Sequence, residues 1–188
     1  MIRNPHTKAV AVTVVFALFA LVGFLVNGAP IASFAILYAL MLVHTYYSVR
    51  CFAALTEHHD RQQNMIDTAL VFSYLGLALS MKDASFWIWW IVLFLLAAVK
   101  YATMIGRVAH PRLLRRKLLA DLGGAAFGVL FVFFTYFFET LLHTNVTSLA
   151  VSKALGMTYF EWLTVLIFGG MTAYYLFAKP LYVHDDSV

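Results

Sequence analysis

Six apolar segments, each about as long as a transmembrane helix, follow one another along the chain. They cover residues 9–27, 31–54, 64–81, 85–105, 121–142 and 160–178. A helix needs about 20 apolar residues to cross the hydrocarbon core of a bilayer. Apart from 106–120 and 143–159 the connections are short, which leaves no room for a soluble domain. The sequence therefore predicts an all-α polytopic membrane protein, with residues 1–188 forming one bundle of about six transmembrane helices.

Composition supports the same class. The chain is 63% hydrophobic and only 12% charged, whereas the surface of a soluble domain needs more charge than this. The single cysteine, Cys51, excludes an internal disulfide framework. The net charge of +4 does not indicate nucleic-acid binding, because the positive residues are segregated by loop as membrane topology requires.

The distribution of lysine and arginine predicts the orientation. If the N-terminus is cytoplasmic, only Lys82 and Lys153 fall outside, and Lys100 lies within the fourth span. The other cations then lie on or near the inner side: Arg3, Lys8, Arg50, Arg61, Arg107, Arg112, Arg115, Arg116, Lys117 and Lys179. This bias predicts that both termini are cytoplasmic. We expect the membrane to be the cytoplasmic membrane of a bacterium or archaeon.

The fifth span carries a stripe of polar and small residues. Its members are mostly three or four positions apart, so they share one helical face: Asp121, Gly124, Ala125, Gly128, Val132, Thr135, Glu139 and His143. A charged group facing lipid is costly, so this face should look into protein or water. Gly124 and Gly128 form a GxxxG pattern, which predicts a close helix contact within the chain or between subunits.

Ionisable residues within the spans are the candidate functional residues. Lys100 needs a counter-charge in hydrocarbon, and Asp67 or Asp121 is the expected partner, either as a structural ion pair or as a gate. His44 lies near the middle of the second span. It is a candidate proton carrier, pore-lining group, or metal or haem ligand, and the alternative is a buried histidine bound to a tyrosine or a backbone carbonyl.

A second candidate site lies toward the outer side. Glu139 and His143 are four positions apart on the fifth helix, and Glu161 opens the sixth span at a similar depth. Two carboxylates and an imidazole suit a divalent metal such as Zn, Mn or Fe. The alternative is an ion pair at a helix end beside a solvated Glu161.

The connection 106–120 is strongly basic. Its leucines can lie on the membrane while four cations contact anionic lipid head groups: Arg112, Arg115, Arg116 and Lys117. In the alternative interpretation these charges only fix the orientation of the protein.

The leading functional hypothesis is a transport protein, a small channel or carrier for an ion or a small polar solute. Ionisable residues occur at three expected depths, which are the inner side, the middle and the outer side of the membrane. They are Asp67, Lys100 and Asp121 toward the inside, His44 in the middle, and Glu139, His143 and Glu161 toward the outside. Gly124, Gly128 and Thr135 would leave room for a polar path along the fifth span. Two alternatives remain open: a membrane enzyme or redox-complex subunit that holds a metal or cofactor, and a non-catalytic subunit of a larger complex. A homo-oligomer is a further expectation.

Overall fold

The computed structural model describes residues 4–52, 61–107, 111–136 and 159–178. These residues form helices and connecting turns, and no strand occurs among them. The elements in chain order are α1 (Pro5–Asn27), α2 (Ala32–Phe52), α3 (Arg61–Leu79), α4 (Ser85–Met104), α5 (Pro111–Tyr136) and α6 (Tyr159–Ala173), and a π-helical turn (Tyr174–Ala178) extends α6. The predicted all-α class is confirmed for this part of the chain.

Three of these helices are long and apolar enough to cross a membrane. They are α1, α2 and α4, with 23, 21 and 20 residues. Many apolar side chains on the outer surfaces of the helices are exposed, among them Leu25 at 71% and Phe177 at 81%. Lipid would cover such a surface, whereas water would not stabilise it.

Local signals in the sequence set the ends of α1. The side chain of Asn4 accepts a hydrogen bond from the backbone N–H of His6 at 2.9 Å, and Pro5 occupies the first turn. Both features are favourable at a helix N-terminus. The helix ends at Gly28, whose φ of 78° is a conformation that glycine adopts without strain.

Helix α5 begins before the predicted fifth span. The span is predicted from residue 121, and the helix that carries it begins at Pro111. The basic segment therefore forms the first turns of α5 instead of a separate surface connection. Leu114 and Lys117 are 0% and 2% exposed. Leu114, Lys117 and Asp121 are three and four positions apart, so they lie on the same buried face of α5. The inward-facing stripe therefore extends through the basic segment toward the N-terminus of the helix.

An aromatic core holds the helices together around α4. Trp90 is fully buried. The centroid of its ring lies 4.7 Å from the ring centroid of Phe168 and 5.2 Å from that of Phe94. The most extensive helix contact is between α4 and α5, and α4 also packs on α3. Helix α1 packs on α2 and α3, and α2 packs on α6. This core fills one end of the bundle and leaves the charged residues toward the other.

The closest approach of α1 to α3 depends on Gly23. A Cβ atom at this position would lie 2.3 Å from the backbone carbonyl oxygen of Ala78. We expect Gly23→Ala to destabilise the protein by about 1–3 kcal/mol, because a backbone atom cannot move aside by rotation of a side chain. Thermal unfolding of the detergent-purified protein measures the change.

Gly170 provides the matched control for this substitution. A Cβ atom there meets nothing within 4 Å, so Gly170→Ala should leave the melting temperature unchanged or slightly raised. Equal melting temperatures for Gly23→Ala and Gly170→Ala would contradict the predicted close contact.

Candidate functional site

A cavity of about 250 Å³ lies within one end of the helix bundle. Side chains from α1 to α5 surround it. The lining residues lie within 8–16 of α1, 41–52 of α2, 67–74 of α3, 93–101 of α4 and 117–121 of α5. The cavity therefore lies toward the end of the bundle where α1, α3 and α5 begin and α2 and α4 finish. Part of its wall is apolar, and the rest carries charged and polar groups.

An ion pair between α3 and α4 forms one side of the cavity. Lys100 donates a hydrogen bond to Oδ1 of Asp67. Of the two carboxylates that the sequence offered as partners for Lys100, the structure selects Asp67. The Asp67 side chain is 42% exposed and that of Lys100 is 16% exposed, so this pair lies at the rim of the cavity.

A second ion pair lies deeper and belongs to α5 alone. Lys117 donates to Oδ1 of Asp121, one helical turn further on. Their side chains are 3% and 1% exposed. The other carboxylate oxygen, Asp121 Oδ2, is buried and has no hydrogen-bond partner among the described residues. A buried carboxylate oxygen without a partner is costly, and such atoms are rare in folded proteins.

This position of Lys117 corrects the expectation that it contacts lipid head groups. Its side chain is buried on the face of α5 that carries Asp121, where the carboxylate compensates its charge. The three arginines of the same segment are exposed, as that expectation requires: Arg112, Arg115 and Arg116.

His44 joins the deep ion pair. Its Nε2 atom lies 3.2 Å from Nζ of Lys117. Because an ammonium group can only donate, Nε2 must accept and carries no proton, so the imidazole is neutral. The sequence placed His44 at a separate, middle depth, but the structure brings it into the same cavity wall as Asp67, Lys100 and Asp121. Lys117 contacts both His44 of α2 and Asp121 of α5.

Tyrosines complete the polar wall. Nζ of Lys117 lies 5.2 Å from the ring centroid of Tyr101, within the range of a cation–π interaction. The Tyr101 hydroxyl lies 3.1 Å from the hydroxyl of Ser48. A further hydroxyl pair joins Thr45 of α2 to Tyr74 of α3. Sequence reasoning missed these residues, because nothing in their spacing shows which helices face one another.

The two glycines of α5 do not line open space. A Cβ atom at Gly124 would lie 2.4 Å from the ring of Phe94, and one at Gly128 would lie 2.8 Å from Trp90 and Ile91. The Trp90 indole also donates to the carbonyl oxygen of Gly124 at 3.0 Å. The GxxxG pattern therefore packs α5 against α4 within the chain. The expectation that these glycines leave room for a polar path is wrong, because aromatic rings occupy that space.

The outer part of the predicted stripe is only partly described. Val132 is 41% exposed, so the stripe no longer faces the interior at that point. Thr135 lies in the last turn of α5, and its side chain, like Glu139 and His143, is outside the described residues.

Glu161 has a structural contact. It accepts a hydrogen bond from the Ser33 hydroxyl at 2.7 Å, which joins α6 to α2. Within the described ranges no group of three potential metal ligands comes together. The outer metal site of Glu139, His143 and Glu161 stays a prediction, because two of its three ligands are outside those ranges.

Comparison of the chain with protein-family models, curated proteins and solved structures finds no match.

The arrangement of the cavity itself shows what chemistry is available. It offers two ion pairs, a neutral imidazole and several hydroxyl groups around empty space, next to an apolar wall. Such a site can bind a small solute and compensate its charge.

Proposed function

We propose that this chain is a membrane transport protein. It is a carrier that binds a small polar or charged solute in the cavity that helices α1, α2, α3, α4 and α5 surround. One observation carries the proposal: a single cavity extends from the half-exposed pair at Asp67 to the fully buried pair at Asp121. Charged residues within transmembrane segments are expensive and typically mark the path of a solute or ion.

The alternative is that both ion pairs only fasten helices together. A purely structural pair is expected to have its remaining polar atoms satisfied and its surroundings packed. Here Asp121 Oδ2 has no described partner, and the pair borders empty space. Both features favour a site that accepts a ligand over one that only stabilises the fold.

We further propose that all six helices span the membrane, with both termini and the cavity end on the cytoplasmic side. The exposed arginines support this orientation, since they cluster where α2 and α4 end and where α3 and α5 begin: Arg50, Arg61, Arg107, Arg112, Arg115 and Arg116. In this orientation the three exposed arginines of α5 meet the anionic head groups of the inner leaflet.

The far end of the cavity indicates a carrier in preference to an open channel. Phe16 and Tyr74 stack there with their ring centroids 3.9 Å apart, and Phe94 fills the space beside Gly124. A solute that enters from the arginine-rich side would meet this aromatic layer. Passage then requires the layer to open while the entrance closes, which is the alternating access of carriers.

Uptake into proteoliposomes tests the proposal. The panel contains chloride, potassium, butanesulfonate, butyltrimethylammonium and erythritol, which together represent ions and small organic solutes of each charge. We expect saturable uptake of at least one of them by the wild type. The double variant Lys100→Met, Asp67→Asn should reduce that uptake by about tenfold or more, because this ion pair forms the polar rim through which the solute enters the cavity.

The matched control neutralises two charges away from the cavity. Lys82 and Asp83 are exposed in the turn between α3 and α4, so Lys82→Gln with Asp83→Asn should keep wild-type uptake. The carrier proposal fails if no solute of the panel shows saturable uptake. It also fails if the Lys100 and Asp67 variant transports as well as this control.

A further inference from the structure

The charged groups around the cavity do not balance. Among the described residues, three lysines line it, Lys8, Lys100 and Lys117, and two carboxylates do, Asp67 and Asp121. The carboxylates are occupied by Lys100 and Lys117, so Lys8 has no carboxylate partner among the described residues. His44 adds no charge, because its Nε2 accepts from Lys117. The described lining of the cavity therefore holds an excess of one positive charge.

We propose that the solute of this carrier is an organic anion with a single negative charge and a small apolar group. This inference rests on the proposed transport function and specifies its substrate class. The unpaired ammonium group of Lys8 provides the binding partner for a carboxylate or sulfonate head group. A cationic solute would instead add to the uncompensated positive charge.

The arrangement of α1 gives the bound anion a direction. Lys8, Val12 and Phe16 all line the cavity and are four positions apart, so they lie on one face of α1. Lys8 lies near the start of the helix, and Phe16 lies roughly 12 Å further along its axis at about 1.5 Å per residue. The head group therefore binds near the rim and the apolar group extends inward.

The inner wall matches an apolar group. Besides Val12 and Phe16, the cavity is lined by Leu70 of α3 and by Leu93 and Phe94 of α4. An inorganic anion at Lys8 would leave this apolar wall facing water. A short hydrocarbon chain would cover it and gain the free energy of burying apolar surface.

Size limits the solute to a small molecule. The cavity of about 250 Å³ lies just below the range of about 300–1,000 Å³ that is typical of small-molecule sites. A head group with a chain of a few carbon atoms fits this volume, and a long-chain lipid does not. A second negative charge is also disfavoured, because the described lining offers it no further unpaired cation and it would approach Asp121 Oδ2, which has no described partner.

Calorimetric titration of the purified protein in nanodiscs tests the substrate class independently of transport. Butanesulfonate is the main probe because it stays ionised at every working pH. It is compared with methanesulfonate, which lacks the chain, with butane-1,4-disulfonate, which carries a second charge, and with butyltrimethylammonium and erythritol. We expect butanesulfonate to bind with the highest affinity of the five.

Lys8→Gln is the diagnostic variant, and Lys82→Gln is its control. Lys8 is only half-buried and has no described side-chain partner, so its substitution should not disturb folding. We expect Lys8→Gln to weaken butanesulfonate binding by about tenfold, the usual effect of losing a charged hydrogen bond. Lys82 lies outside the cavity, so Lys82→Gln should bind butanesulfonate like the wild type.

The outcomes separate this inference from the transport proposal. Equal or tighter binding of butyltrimethylammonium or erythritol overturns the inference, as does wild-type affinity in Lys8→Gln. If the proteoliposomes take up the cation or the polyol while butanesulfonate does not bind, the carrier proposal stands and the anion inference is wrong. If butanesulfonate binds through Lys8 but no solute crosses the membrane, the anion site stands and the carrier proposal is wrong.

Discussion

Lys117→Met should destabilise the protein by about 3–5 kcal/mol, the usual result of removing one partner of a buried ion pair. The substitution leaves the Asp121 carboxylate, which is 1% exposed, without its cation. It also removes the donor to His44. Thermal or denaturant-induced unfolding of the detergent-purified protein, followed by circular dichroism, measures the loss.

The double variant Lys117→Met, Asp121→Asn distinguishes ion pairing from simple loss of packing. It removes both charges, so it should recover most of the stability that the single variant loses. Lys100→Met serves as the comparison at the rim, where its partner Asp67 is 42% exposed. Because water can solvate that carboxylate, the loss there should be only about 1 kcal/mol. Equal losses at Lys100 and Lys117 would contradict the described difference in burial.

The second large effect is expected at Trp90. This residue is fully buried at the centre of the aromatic core, in contact with Phe94 and Phe168. Trp90→Ala should cost about 3–5 kcal/mol, because it removes a large buried side chain and leaves a cavity. The same unfolding measurement applies.

Two further variants assign this loss to its causes. Trp90→Phe keeps an aromatic ring but removes the indole donor to the carbonyl oxygen of Gly124. It should therefore destabilise the protein less than Trp90→Ala does. The lost hydrogen bond accounts for about 1 kcal/mol of the change. Ile88 lies on the same helix and is 61% exposed, so Ile88→Ala should change stability little. A loss at Ile88 as large as that at Trp90 would show that α4 is turned differently from the described packing.

The fold class follows from the sequence because it depends on local properties. Apolar segments of transmembrane length predict helices, and the structure is all-helical wherever it is described. The pairing of Lys100 was also partly predictable, because a lysine within an apolar span requires a carboxylate nearby. The choice between Asp67 and Asp121 was not, because the order of helices around a bundle depends on packing between distant segments.

Lys117 shows how a local pattern can mislead. It follows two arginines in a basic run, which is typical of residues that face lipid head groups. Its spacing of four from Asp121 was visible in the sequence and predicts an ion pair on one helix face. That signal becomes decisive only once α5 is known to begin at Pro111, since the helix then includes both residues.

The glycines of α5 show a second limit. Small residues allow either an open path or the close approach of a neighbouring side chain, and the sequence pattern is the same in both cases. The structure places the Phe94 ring against Gly124, so the available space is filled. The empty space lies elsewhere, among side chains from five helices, and no pattern within a single helix predicts such a cavity.

The most direct test of the account fills the cavity without changing its charges. Ala97 lines the cavity, whereas Ala102 on the same helix is exposed and does not. Saturable uptake of the solute that the wild type carries is measured in proteoliposomes for Ala97→Phe and Ala102→Phe, with the melting temperature of each variant. We expect Ala97→Phe to abolish uptake while the protein stays folded, and Ala102→Phe to transport normally. Undiminished uptake by a folded Ala97→Phe protein would contradict the claim that the solute passes through this cavity.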